Sequence, residues 1–423
     1  MIKYSEAINQ ICEVAIAKRS TLKTEVIYLL KAMGRIAAED ILAPEAMPSF
    51  DNSAMDGFAV RSQDTQAASQ TQPVEFKVLG SIAAGDYNEP ERALLLKNMA
   101  FEIMTGAAFP KNFDACIKIE DCKVERDHLG QAQKMTIYEP IETQKHLRPA
   151  GGDFVKNARI ILKGQKLAAE DLLALAAFGI ASVKVYAPLH IALIATGKEL
   201  VHFEETPKTN QIRNSSQVFL KLALEQLGAT TECFHLKEDQ PEDFAKLILS
   251  PKINSFDLIL TTGAVSMGQY DYIPEVLKTL NSKIYFHKVA IRPGKPILFA
   301  ELQNGPVIFS LPGNPISSVV GLRFFIENYL RSLYSQKLEK PIFARIKKLY
   351  EKPRGLKCFL KAKLDLSQTP PEVEILEGQM SSILSSLLKA DAWAILEEGS
   401  EGAEAKSLIQ VYYQHSNTSE ALV

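Results

Sequence analysis

The spacing of apolar residues changes several times along the chain, and each change marks a boundary. Over residues 4–19, Ala7, Ile8, Ile11, Cys12 and Ala15 share one face of a 3.6-residue period, which predicts an amphipathic helix. A second apolar run begins near Val26, and this N-terminal part reads as helical. From Ala46 to about Glu139 the texture shortens to β-like runs such as Val74-Glu75-Phe76-Lys77-Val78-Leu79 and Ala115-Cys116-Ile117-Lys118-Ile119, punctuated by Gly, Pro, Asn and Asp. Helical spacing returns over residues 168–178, with Gly179 as a plausible C-cap. The β-rich stretch therefore predicts an insertion into a helical domain.

Beyond Pro188 the pattern alternates. Near-continuous apolar runs at 191–195, 257–261, 296–300 and 307–311 are interleaved with helical spacing at 215–227, 273–280 and 315–334. Buried strands alternating with helices predict a doubly wound, mostly parallel α/β sheet. From about residue 340 the segments 344–350 and 407–413 alternate apolar and polar residues, which predicts a small β-barrel or sandwich. The expected organisation is a discontinuous helical domain (1–45 and 140–187), an inserted β-rich domain (46–139), an α/β domain (188–338), a C-terminal β-domain (339–414) and a polar tail (415–423).

Length agrees with that division, since 423 residues exceed what one core accommodates and about three domains are expected. With 46% hydrophobic and 23% charged residues and no apolar run near the ~18 of a membrane span, a soluble protein is expected. Lys and Arg number 48 against 50 Asp and Glu, so no long-range field draws in nucleic acid or an acidic membrane. Any anion site must be local. The five cysteines are scattered without a C-x-x-C pair, which argues against a disulfide framework or a structural zinc. The first residues lead into the amphipathic helix without an apolar signal region, and the cytoplasm is the expected compartment.

Candidate chemistry concentrates between Thr196 and Pro315, beside the ends of predicted buried strands, where α/β sheets bind ligands. Thr196-Gly197-Lys198-Glu199 places a carboxylate in the turn after the first strand, suited to a ligand or Mg²⁺. Gly263, Ser266 and Gly268 form a loop whose N–H groups suit a phosphate, with Asp271 just beyond. In 287–296, Lys288, Arg292 and Lys295 gather cations around an apolar triplet, with Pro293 and Pro296 stiffening the chain. Pro312-Gly313-Asn314-Pro315 opens a helix whose first N–H groups, with Ser317, suit an oxyanion. Each segment alone also reads as an ordinary turn, solvated loop or helix start. In the β-rich part, Asp51 to Gly57, Met104 to Ala107 and Arg148 to Asp153 are further short loops of low individual specificity.

Taken in order, Asp51-Asn52-Ser53-Ala54-Met55-Asp56-Gly57, Met104-Thr105-Gly106-Ala107, Gly151 to Asp153, Thr196 to Leu200, Gly263 to Gly268 with Asp271-Tyr272, Arg292 to Pro296 and Leu311 to Pro315 resemble the molybdopterin molybdenumtransferase family, of the MoeA and gephyrin E-domain type. The resemblance covers roughly residues 5 to 412. It implies an α/β molybdopterin-binding domain, a C-terminal β-barrel and a homodimer whose cleft is shared between subunits. It also implies conversion of adenylylated molybdopterin and molybdate to molybdenum cofactor and AMP, aided by Mg²⁺, and contact with a molybdopterin adenylyltransferase. By the same resemblance Asp56, Glu199 and Asp271 would bind Mg²⁺ or position water, and Thr105, Arg148 and Asp153 would complete the cleft. Lys288, Arg292 and Lys295 would hold phosphate or molybdate, with Gly263, Ser266, Gly268, Pro296, Pro312, Gly313, Asn314, Ser317 and Ser381 as further substrate contacts.

Several positions depart from the family pattern: Gly152 stands for a usual Glu, Lys198 for an acidic residue, Asn214 and Ser216 for Asp and Asn, Glu238 for Asp, Ala264 for Gly, and Leu356 and Lys361 each for Arg. Thinning of the carboxylate set leaves a second reading open, a paralogue that binds molybdopterin or its nucleotide as a carrier or scaffold.

Overall fold

Strands Ile191 to Ala195 and their neighbours are apolar on both faces because both faces are covered. In the central sheet of the computed structural model the strand order is Thr230–Leu236, His190–Thr196, Leu258–Thr262, Val307–Leu311, Leu298–Glu301 and Lys283–His287. The model describes residues 1–86, 97–238, 240–265, 272–303 and 305–415. The first four strands run parallel, and the last two join as an antiparallel edge. Alternation along each strand divides the core: Ile191, Leu193, Leu258, Leu260, Val307 and Phe309 enter one cluster, whereas Ala192, Ile194, Ile259 and Ile308 enter the other. Helices Tyr4–Lys18 and Ser215–Gln226 and the helical run from Pro315 to Leu333 contribute to the first; Pro241–Ile248, Pro251–Asn254 and Ile273–Thr279 contribute to the second. This is the doubly wound α/β sheet that the alternation predicts.

Three details differ from the sequence expectation. The apolar run at Val26 is a strand, Thr24–Tyr28, because Ser182–Tyr186 pairs with it in antiparallel register. The edge strands Thr230–Leu236 and Lys283–His287 carry polar and charged residues that hide their strand character. The helix expected over 315–334 is Pro315–Gly321 and Glu327–Leu333 joined by a wider turn at Leu322–Ile326.

The C-terminal strands close on themselves. Lys357–Asp365, Glu372–Ile375, Ile342–Ile346, Leu408–Tyr413 and Ala392–Leu396 form a ring, because the first and last also pair with each other. The five strands close into a barrel, and Ile291–Arg292 adds in parallel to the start of Lys357–Asp365, which Glu372–Ile375 does not reach. Phe359, Trp393 and Ile395 join the first core cluster of the α/β sheet, so barrel and sheet share packing.

The chain divides into two compact units: Met1–Glu39, Lys163–Leu172 and Ala181–Val423 form one, Asp40–Leu162 and Leu173–Ile180 the other. The second unit is built on a mixed six-stranded sheet in the order Ala115–Lys118, Gly57–Val60, Met99–Ile103, Val74–Ile82, Ala132–Ile137, Cys122–Arg126. Phe58, Phe76, Val78, Ile117 and Met135 fill one core cluster; Ala59, Ile82, Phe101, Ile103 and Cys116 fill another.

Candidate active cleft

Three strand ends of the larger unit meet in one place. At the carboxyl end of Leu258–Thr262, Gly263 has φ +92°, and a Cβ there would stand 2.6 Å from both the carbonyl oxygen and the hydroxyl of Thr196. Only glycine allows this approach. Gly263 N–H donates to Leu311 O (3.1 Å), which ties it to the strand that ends in Pro312-Gly313. Ser216 Oγ donates to Gly313 O (3.3 Å), and Asn214 Oδ1 accepts from Gln217 N (3.2 Å), capping its helix. Two of the departures noted above thus serve the local architecture.

Around these ends lies a cleft of about 730 Å³. Gly263, Ala264 and Val265 form one side, the 291–296 segment another, and Pro312, Gly313, Asn314 and Ser317 a third. The barrel closes it with Leu356, Gln379, Met380, Ser381 and Ser382. Proline at the first position of the helix Pro315–Gly321 removes one unpaired N–H, and Ile316 N–H is met by Ser381 O at 3.2 Å. Arg292 and Lys295 are exposed, and among the described residues neither side chain forms a hydrogen bond or ion pair. The expected anion site on the free N–H groups of this helix is not there, because Ser317 and Ser318 N–H donate to Asn314 O (3.0 and 3.2 Å); two unpartnered cations and the buried Ser317 side chain around one cleft are what suit a phosphate or another oxyanion.

The structure brings Gly263, Arg292, Lys295, Pro296, Pro312, Gly313, Asn314, Ser317 and Ser381 together on this cleft. Lys288 and Glu199 are not among its lining residues. Lys288 is half-buried with φ +75°, its N–H donating to Ile297 O (3.0 Å) and its carbonyl accepting from Ile2 N (3.1 Å). Glu199 is exposed in the turn after His190–Thr196, its carboxylate against the α-carbon of Gly197, 2.8 Å from where a Cβ would stand. Its carbonyl accepts from Ile212 N at 2.8 Å. Ser266, Gly268 and Asp271 lie outside the described residues.

Asp56, Thr105, Arg148 and Asp153 belong to the smaller unit, where three loops join. Leu147–Arg148 pairs with Asn52–Ser53, Ser53 exchanges main-chain bonds with Gly106 and Ala107, and Asp51 Oδ1 accepts from Ala150 N at 2.7 Å. Thr105 donates both its N–H (2.7 Å) and its hydroxyl (2.8 Å) to Asp56 Oδ1. Those two bonds hold the Asp56 carboxyl below its ordinary 3.8, so it stays ionised. Gly57 is required by its neighbour, since a Cβ would stand 2.0 Å from Ile117 O. Arg148 and Asp153 are exposed at the rim of this cluster.

Sequence reasoning did not select Leu356, Gln379, Met380 or Ser382 as site residues. They carry no turn motif at a strand end; the barrel's closure brings them to the cleft.

Residues 2–179 match a family model described as "MoeA N-terminal region (domain I and II)", residues 192–332 one described as "Probable molybdopterin binding domain", and residues 344–413 "MoeA C-terminal region (domain IV)". A protein of Synechococcus elongatus called molybdopterin molybdenumtransferase is 36% identical over 97% of this chain and 99% of its own. The chain belongs to the MoeA family. A Staphylococcus epidermidis relative of the same name is 30% identical over 99% of this chain and 97% of its own. The crystal structure of a molybdopterin biosynthesis MoeA protein from Pyrococcus horikosii superposes with a TM-score of 0.75 at 30% identity, covering 96% of this MoeA chain and 99% of that one.

Proposed function

We propose that this MoeA-family chain is a molybdopterin molybdenumtransferase, inserting molybdenum into adenylylated molybdopterin to give molybdenum cofactor and AMP. The observation that carries the reading is the cleft lined by the unpartnered Arg292 and Lys295 together with Ser317 and Ser381, in a chain 36% identical over its length to a transferase of that name. Both substrates are anions: as the two dithiolene sulfurs bond molybdenum, an oxo group of molybdate leaves as water with the thiol protons, and a second water cleaves the phosphoanhydride to release AMP. Arg292 and Lys295, with Lys288 nearby in sequence, hold the phosphate or molybdate charge; Ser317 and Ser381 donate to its oxygens. The loops of Gly263 and Gly313 let the main chain approach the substrate.

Magnesium is part of the proposal. Among the described residues no three Asp, Glu, His or Cys side chains gather into a metal cage. An exposed carboxylate such as Glu199 fits an ion that keeps most of its waters and arrives on substrate phosphates. Glu199, with Asp56 and Asp271 as the further carboxylates, would hold it, and the ion would neutralise charge on the phosphoanhydride. Asp56 is kept ionised for that role by Thr105.

A homodimer with cleft residues from both subunits, Arg148 and Asp153 among them, contact with a molybdopterin adenylyltransferase, a cytoplasmic location and the division at residues 46, 140, 188 and 339 belong to the same proposal and rest on family membership. Among the described residues no helix is long and apolar enough to cross a membrane.

Purified protein incubated with adenylylated molybdopterin, Mg²⁺ and molybdate should release AMP and reconstitute an apo-molybdoenzyme, both rising with molybdate. Arg292→Ala and Lys295→Ala should each lower kcat/KM by about tenfold or more, the loss expected for a charge-assisted hydrogen bond. Tight pterin binding without AMP release would make the protein a carrier instead.

A further inference from the structure

Lys361 sits in the barrel strand Lys357–Asp365 with 1% of its surface exposed. Its ammonium donates to three main-chain carbonyls: Gly378 O at 2.7 Å, Ile383 O at 3.0 Å and Met380 O at 3.4 Å. No ion pair accompanies it among the described residues, and burial pushes its pKa below the ordinary 10.5. Burying an ammonium is unfavourable unless its donors are satisfied, so the carbonyl cage is what keeps it there.

All three carbonyls come from one short loop, and the same strand position grips that loop a second time. Gln379 Oε1 accepts from Lys361 N (3.0 Å), while Gln379 Nε2 donates to Lys361 O (2.8 Å) and Leu376 O (2.7 Å). The loop's other side is the barrel wall of the cleft, carrying Ser381 and Ser382. Ser381 O also receives the Ile316 N–H of the helix start. One buried charge thus fixes a segment that has no regular structure of its own and that touches two walls of the site.

We propose that Lys361 is a positioning residue of the cleft, its buried ammonium clamping the 378–383 loop so that Ser381 and Ser382 meet the oxyanion substrate. The inference rests on the reading of the cleft given above. It explains why a long cation is buried in the barrel without a carboxylate: the side chain acts as a three-pronged tie.

The test uses the full-length protein with three measurements: hydrogen exchange of the 378–383 amides, calorimetric titration with molybdate alone, and AMP release against molybdate concentration. Lys361→Met, which keeps length and removes the donors, should speed exchange in that loop and raise the half-saturating molybdate concentration about tenfold or more, with a smaller change in kcat. Lys361→Arg, which keeps charge and donors, should restore most of the loss. Should Lys361→Met not fold, Ser386→Ala decides the matter: it removes a milder tie to Gly378 O (2.8 Å) and should shift exchange and molybdate dependence in the same direction. A folded Lys361→Met protein with unchanged exchange, or with faster exchange but unchanged molybdate dependence, overturns the proposal. Absence of AMP release by the unaltered protein would sink the transferase reading separately, while calorimetry and exchange still decide the role of Lys361.

Discussion

Replacing Gly263 by alanine tests whether the contact between strand ends shapes the cleft. Two costs are separable. The backbone cost comes from φ +92°, a region where an L-residue is strained by about 1–3 kcal/mol. The packing cost comes from a Cβ placed 2.6 Å from Thr196 O and Oγ1; the carbonyl is main chain in a central strand and cannot swing aside, so overpacking adds about 1–3 kcal/mol. Gly228 supplies the control within the same unit, with φ +90° and nothing within 4 Å of a Cβ. Gly228→Ala should show the backbone term alone, and the difference between the variants should be about 1–3 kcal/mol. The chain's one tryptophan, Trp393, is buried in the core cluster that also holds Leu311, so its fluorescence during urea denaturation follows this unit. The midpoint should fall further for Gly263→Ala at constant slope. Equal midpoints for the two variants would refute the reasoning, because they would mean that Thr196 does not confine the loop.

Three further outcomes are expected. Ala264 stands at φ +49°, so Ala264→Gly should leave the unit unchanged or stabilise it by up to about 1 kcal/mol, and a lowered Trp393 midpoint would contradict this. Asp56 should titrate below 3.8 by carboxyl NMR, and Thr105→Val should raise that value; because the folded pKa is depressed, its contribution to stability is whole above pH 3.8 and is lost as pH falls through the folded value. Phe299, fully buried against Tyr285, Phe286, Phe309 and Tyr329, should cost about 3–5 kcal/mol on Phe299→Ala, and a loss under about 1 kcal/mol in urea unfolding would show the site able to collapse.

The departures from the family pattern take different physical forms. Asn214 and Ser216 stand where the family pattern has Asp and Asn, yet one caps a helix and the other bonds Gly313. Lys361 replaces an expected arginine and spends its donors on a loop, whereas Leu356 places an apolar side chain on the cleft wall. A change of residue type thus bears on function through what the new side chain touches.

By itself the sequence determined where the chain is strand or helix wherever burial is periodic and local. The runs 191–195 and 307–311 are apolar on both faces because helices cover both, and that signal is written within a few residues. Gly263, Pro312-Gly313 and Asp56-Gly57 were also legible, since a close main-chain approach admits few residue types. What only the tertiary structure decided depends on distant partners. Val26 lies in a strand because Ser182–Tyr186 is beside it, and Gln379 to Ser382 line the cleft because a ring of five strands closes and carries them there. The cage around Lys361 is of this second kind: nothing near that lysine in sequence announces three carbonyls from residues 378 to 383, since their convergence exists only once the barrel has folded.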